Sequence, residues 1–503
     1  MVEAVGPIPL ERAAREIDPA AGLEPRGVVV QVGDGVALVA GLERVANQEL
    51  LRFDSGALGM AFDLRADATG ALLLADAHRV RAGEGVVGLG RLPELPVGPA
   101  TQGRVLDPLG RPLDDGGALP SRPALPLFRA APELIERKGV DEPLRTGVLA
   151  IDAAVPIGRG QRELLIGDRN VGKTALAEDV VAAQAGGGVA CVYVVIGQAM
   201  SRVLTLRRTL LHAGALDHTA IVVADASAPP GMRYLAPYAG ASVAEWFRDQ
   251  GRHALVVYDD LTKHADAYRE LSLLLDRPPG REAYPGDVFH IHAELLERSA
   301  ARNAAAGGGS VTALPIVETT DGDVAAYIPT NLISITDGQV YLDAARFARN
   351  ERPAVDIGRS VSRIGAAAQP GPVRMAARNL RILQARFEEL EALTRVGLAL
   401  EPGVERELAR GRRLRVLLRQ ARLSPRGVAE QVLDVLAVSE GWLDDVAPEA
   451  TPERIVALMA RARARTPEIV AGLDRGELPA EGWLGRLSEL AAELAGSGSE
   501  ASR

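Results

Sequence analysis

One cysteine, three lysines and 4 % aromatic residues are scattered through a chain of 503 residues. The single cysteine, Cys191, excludes an intrachain disulfide and fits a reducing cytoplasm. It lies in the apolar run VACVYVV, where it reads as a small core residue rather than a reactive thiol. No apolar run approaches the roughly 18 residues that a membrane-spanning helix needs. Glu3, Glu11, Glu16 and Asp18 make the N-terminus unlike a signal or transit peptide. An excess of positive charge is also missing. With 57 basic against 66 acidic residues and a net charge of −9, nucleic acid is not expected as the main partner. Lysine is confined to Lys138, Lys173 and Lys263, so a lysine at a motif position carries information here that an arginine would not.

What the chain does contain is apolar material for several cores, since 47 % of its residues are hydrophobic. Its length predicts two to four domains, by a prior of roughly 100–200 residues each. Residues 1–25 read as a short polar helix and a linker. Residues 26–93 carry short apolar stretches broken by Gly and Asp (GVVVQVGDGVALVAGL, ALLLA, GVVGLG), with VGDG as a hairpin turn, and predict a small β-barrel. From 94 to 370, apolar strands alternate with helical segments: ELLI, CVYVV, AIVV and ALVVY. That rhythm predicts a parallel sheet with helical crossovers. SITDGQVYL, residues 334–342, reads as a hairpin with an Asp-Gly turn. From 371 to 503 helical periodicity takes over, with Leu383, Phe387 and Leu390 on one face, ending in a tail, AGSGSEASR, that is expected to be disordered.

The chemistry concentrates in residues 167–174, GDRNVGKT. Gly167, Gly172, Lys173 and Thr174 fit the phosphate-loop pattern, with Asp168, Arg169, Asn170 and Val171 between them. A strand precedes the loop and a helix follows it, as the pattern requires. Glycines let backbone N–H groups turn toward phosphates, and the helix N-terminus adds partial positive charge. Lys173 would reach the β and γ phosphates, and Thr174 would offer its hydroxyl to Mg²⁺. ALVVYDD ends an apolar strand in Asp259, a second candidate Mg²⁺ partner. Gln198 ends the strand VVIGQ at a place where a hydrolase wants a carboxylate.

Four longer stretches carry a resemblance: RELLIGDRNVGKTAL, ALVVYDDLTKHADAYRELSLLLDRPPGREAYPGDVF, IPTNLISITDGQVYLD and DIGRSVSRIGAAAQ. Together they resemble the alpha subunits of F-type ATP synthases, densely over residues 26–440 and more loosely beyond. The resemblance implies a multidomain fold: an N-terminal β-barrel, a central RecA-like α/β P-loop domain and a C-terminal α-helical bundle. It implies ATP or ADP with Mg²⁺ as ligands. Expected partners are beta subunits in an alternating ring of three plus three, a gamma central stalk and the membrane sector. The expected place is the cytoplasmic face of a bacterial cell membrane, in a complex that translocates ions. The beta chains of that family carry a Glu where Gln198 stands. Gln cannot accept a proton as a carboxylate does, so this site is expected to bind nucleotide and barely hydrolyse it. Glu178, one turn along the following helix, is expected to point away from the γ phosphate.

The resemblance further implies that Arg363, in the run Ser360-Val361-Ser362-Arg363, reaches across a subunit border as an arginine finger, with Ser360 and Ser362 shaping its loop. Phe347, Arg352, Pro353 and Gln420 match the family's adenine pocket. Arg422 stands where the family has a second Gln, and Asn170-Val171 replace its usual Gln-Thr. DRPPGREAYPGD, residues 276–287, resembles the collar around the stalk. The short N-terminal helix departs from the family's longer docking helix for a delta subunit, which fits a variant branch lacking it. Two alternatives stay open: a self-sufficient homohexameric P-loop ATPase (an RNA translocase or secretion motor), opposed by Gln198 and the net charge, and a purely structural subunit, opposed by Lys173 and Asp259.

Overall fold

The computed structural model describes residues 26–394 and 402–500. The expected N-terminal helix over residues 1–25 and the last three residues of the tail expected to be disordered lie outside that range. Strands β1 (Arg26–Gly33), β2 (Val36–Ala40), β3 (Leu50–Phe53), β4 (Leu58–Leu64), β5 (Thr69–Ala75) and β6 (Gly85–Gly88) close into a barrel in the order β1-β2-β5-β4-β3-β6. Val29 is 1 % exposed while its neighbours Val28 and Val30 are 48 % and 61 % exposed, the two-residue period of a half-buried strand. The β1–β2 turn is the expected one: Asp34 and Gly35 both take positive φ, 46° and 91°, which Asp and Gly tolerate best.

Beyond the barrel, β7 (Glu94–Pro96) pairs with β9 (Ala124–Pro126), while β8 (Val105–Leu106) joins the main sheet. That sheet continues with β10 (Glu163–Asp168), β11 (Val189–Ile196), β12 (Thr219–Ala224), β13 (His253–Asp259), β14 (Ser310–Thr319), β15 (Gly338–Leu342) and β16 (Val361–Ser362). Its order is β16-β15-β10-β14-β13-β11-β12-β8. Every pair is parallel except β15–β16. β11 is buried along its whole length, as a strand covered on both faces must be. Alternate residues serve different cores. Cys191, Tyr193 and Val195 pack on the face shared with the C-terminal helices. Val192 and Val194 pack on the face shared with helix Pro230–Asp249 and with the barrel residues Val36, Met60 and Leu72.

Two expectations fail here. Residues 334–342 do not form a hairpin: Ser334 and Ile335 end the helix Tyr327–Ile335, and only Gly338–Leu342 is a strand. Ile328 and Leu332, a turn apart, are buried, so a helical apolar face outweighs the Asp-Gly turn signal. The tail is helical further than expected, because Trp483–Glu500 is one helix anchored by Leu487 and Leu490.

The C-terminal helices include Leu380–Thr394, Pro402–Leu418, Val428–Ser439, Thr451–Arg465 and Pro467–Arg475. Phe387 is buried, with Leu383 partly buried beside it, as the periodicity predicts. Behind the sheet, Arg298 makes a bidentate pair with Glu245 at 2.9 and 2.7 Å and donates to the Leu127 carbonyl at 2.7 Å. Both partners are almost fully buried. Stranding either charge in such a site costs about 3–5 kcal/mol, so this pair fixes helix Pro230–Asp249 against the segment that follows helix Val288–Glu297. No helix among the described residues is long and apolar enough to cross a membrane.

Candidate nucleotide site

β10 ends in the glycine-rich loop and helix Lys173–Ala182 starts directly after it. Gly167 is required by space: a Cβ there would lie 2.4 Å from the Leu342 carbonyl oxygen of β15. Gly172 takes φ 99° as the helix N-cap, and Asn170 takes φ 61°, a region asparagine enters more readily than other residues. Parallel register brings the ends of β10 and β14 level, with Gly167 opposite Glu318, and sets Asp259 of β13 opposite Val195 of β11. The site therefore sits at the carboxyl edge of the sheet, where ligands of open α/β sheets bind.

Asp259 is the hub. Its Oδ2 accepts from Thr174 Oγ1 at 3.0 Å and from the Tyr193 hydroxyl at 2.9 Å, and its Oδ1 accepts from Gln198 Nε2 at 2.7 Å. Burial pushes the Asp259 carboxyl above the usual range, and these three donors hold it down. Gln198 also donates to the Asp259 carbonyl at 3.1 Å. A carboxylate at 198 would instead face another carboxylate. Lys173 Nζ donates to the Gly167 and Asp168 carbonyls at 2.8 and 2.6 Å. Burial lowers its ammonium pKa, while Glu318, Asp260, Asp259 and Asp168 pull it back up.

A cleft of about 610 Å³ opens over these groups, lined among others by Lys173, Thr174, Gln198, Asp259, Asp260 and Glu318. Sequence reasoning missed Asp260, Glu318, Arg202, Lys263 and Tyr193. Tyr193 had a visible signal, as the one hydroxyl in the apolar run CVYVV. Glu318 had none, because the turn of β14 into the cleft is a long-range fact. Burial and the neighbouring charge of Asp259 push Asp260 up to about 7. Glu318 is engaged by Arg169 at 3.0 Å.

The other loop residues divide by direction. The Asp168 carboxylate accepts from Thr319 Oγ1 at 2.6 Å and Gly322 N at 2.8 Å, bracing the loop on the end of β14. The Val171 side chain is buried in the core and does not line the cleft. Glu178 is ion-paired with Arg422, and Leu423 N donates to Asp179 at 2.9 Å. Glu178 is thus taken up by the C-terminal region, away from the role of a base.

Phe347 lies beside the loop, 3.7 Å from the Cβ position of Gly172, and the Arg352 guanidinium stacks 4.6 Å from its ring centroid. Gln420 N donates to the Arg352 carbonyl at 2.8 Å. Phe347, Arg352, Pro353 and Gln420 therefore form one contiguous patch. The Gln420 side chain is spent on backbone, donating to Gly147 and Ser424 carbonyls and accepting from Leu149 N. Arg352 and Pro353 line a separate small cavity with Arg346, Glu351 and Arg415.

Arg363 is elsewhere, at the lateral edge of the sheet. It is exposed, next to Val361 and Ile364, which are 37 % and 36 % exposed. Its N–H donates to the Asp337 carbonyl at 3.0 Å and its Nη1 to the Thr336 carbonyl at 3.4 Å. Ser360 does not share that exposure. It is fully buried, its Oγ donating to the Asp356 carbonyl and accepting from Tyr341 N, so its hydroxyl is engaged within its own loop.

A parallel sheet with this loop, hydroxyl and carboxylate at its carboxyl edge, set between a closed barrel and a helical domain, defines a P-loop nucleotide-binding protein. Family models match all three parts: the ATP synthase alpha/beta family nucleotide-binding domain over residues 147–362, its C-terminal domain over 369–493 and its beta-barrel domain over 24–90. The chain is 47 % identical over 461 residues to a protein of Aquifex aeolicus (strain VF5) named ATP synthase subunit alpha, covering 92 % of each chain. It belongs to the ATP synthase alpha/beta family.

Proposed function

We propose that this chain is the alpha-type subunit of an F-type ATP synthase, binding Mg-ATP without turning it over and supplying Arg363 to a neighbouring catalytic site. The observation that carries the first half is the 2.7 Å bond from the Gln198 amide to Asp259. At the strand end where a base would orient water, this chain has a donor already engaged with the metal-side carboxylate. Of the other carboxylates, Glu178 is paired with Arg422 and Glu318 with Arg169.

Mg²⁺ bound with a nucleotide takes one or two protein oxygens and fills its shell with phosphate and water. Thr174 Oγ1 and Asp259, 3.0 Å apart, are two such hard oxygens. When bound, the ion would neutralise phosphate charge. Lys173 would then exchange loop carbonyls for phosphate oxygens. Exposed Arg363 with two exposed apolar neighbours suits a subunit border. The assembly proposed is the alternating ring with beta subunits around a gamma stalk, peripheral on the cytoplasmic face of a bacterial membrane and joined to an ion-translocating sector. The loop over residues 276–287 fits a collar: Pro278 and Pro279 are exposed, while Tyr284 is buried and Arg277 stacks 5.6 Å from the Phe62 ring centroid.

The test is calorimetry and turnover on the lone chain. Mg-ATP should bind, hydrolysis should stay near background, and Lys173→Ala should abolish binding. Brisk hydrolysis by the lone chain would replace this reading with the self-sufficient homohexameric ATPase.

A further inference from the structure

Strand β10 begins with a carboxylate that the nucleotide cleft does not use. Glu163 is fully buried, and its Oε1 has no hydrogen-bond partner among the described residues. Its Oε2 accepts from Gln161 Nε2 at 2.7 Å. Register places Glu163 opposite Gly338 of β15, and Gly338 opposite Ser362 of β16. The carboxyl lies in the notch that glycine leaves: a Cβ on residue 338 would be 2.6 and 2.9 Å from its two oxygens. One row across the sheet thus runs from a buried acid to the residue before Arg363.

Side chains tie the row together. Gln161 Nε2 also donates to Ser362 Oγ at 3.1 Å. Ser362 Oγ donates to the Pro156 carbonyl at 2.6 Å and accepts from Gly365 N at 3.2 Å. Arg381, from helix Leu380–Thr394, donates to the Ser360 carbonyl at 3.2 Å. β16 has only two residues, so its position depends on these contacts more than on its own ladder.

We propose that Glu163 is a positioning residue for Arg363, acting through Gln161 and Ser362 to set the direction in which the guanidinium leaves the sheet edge. The active form is the neutral carboxyl. Ionised, it would draw the Arg363 charge back toward the sheet. The charged groups facing it are Arg363 and Arg381, which favour ionisation, and Asp337, which opposes it. Burial dominates and raises its pKa well above the carboxylate range. This inference rests on the finger role proposed for Arg363.

The experiment uses the chain assembled with its catalytic partner subunits. Glu163→Ala should lower kcat about 10- to 100-fold, the scale of a small misplacement of a catalytic group, with KM and the chain's own Mg-ATP affinity unchanged. Glu163→Gln, which mimics the neutral carboxyl, should restore kcat to within about threefold. It should also abolish the alkaline decline in kcat expected of the wild type. Arg363→Ala is run beside them. If it leaves kcat intact, the finger reading fails and this proposal with it. If it collapses kcat while Glu163→Ala does not, the Glu163 assignment alone is wrong. Should Glu163→Ala fail to fold, a Glu163→Gln pH profile identical to wild type overturns the proposal by itself.

Discussion

At the carboxyl edge of the sheet, Asp259 is buried and held by three donors from its own chain, Thr174, Tyr193 and Gln198. At the lateral edge, Arg363 is exposed, and two carbonyls hold its backbone and one guanidinium nitrogen. The first arrangement is closed on itself and suits retention of a ligand. The second is open to solvent, with Thr336 the one carbonyl recorded on its guanidinium among the described residues. Charged groups on one sheet thus differ in how many partners each already has, and that difference is what the roles proposed for Asp259 and Arg363 rest on.

The contrast breaks most visibly at Arg363. Arg363→Ala should reduce turnover of the assembled complex by roughly 10³-fold or more, the scale measured for arginine fingers. The chain's own nucleotide affinity should not change. A paired measurement of steady-state hydrolysis and calorimetric binding checks both halves, and normal turnover would remove the contrast. Next comes Gln198→Leu, which strips a donor from a buried carboxylate. It should cost about 1–3 kcal/mol in denaturant unfolding and weaken Mg-ATP binding, without affecting the Arg363 edge. Tyr193→Phe should be the mildest, at about 1 kcal/mol, because Thr174 and Gln198 remain. A larger loss for Tyr193→Phe than for Gln198→Leu would show that the hub is organised from the core and not from the cleft.

The phosphate loop was legible because its requirements are local: glycines for space and φ, a lysine, a hydroxyl, then a helix. Asp259 was legible because a strand end announces itself. Glu163 was not, although ELLI was read as a strand, because a first-position acid looks like a solvated end until β15 and β16 cover it. Glu318 was missed for the same reason: its place in the cleft depends on neighbouring strands far away in sequence. Asp260 stands beside Asp259 in ALVVYDD and was passed over because the strand end itself was taken for the site. The supposed hairpin at 334–342 shows the opposite error, a strong turn signal overruled by the packing of Ile328 and Leu332. The closed barrel was foreseen from its spacing, and its strand order from nothing in the sequence.

The helix that opens at Lys173 is ten residues long, so it spans about 15 Å. Its first turn belongs to the phosphate loop, and its far half is gripped by Arg422 and Leu423. A rod held at its first turn and again just past its middle cannot rock at the loop without loading the second hold. The phosphate loop and the segment leading into helix Val428–Ser439 therefore share one short rigid element.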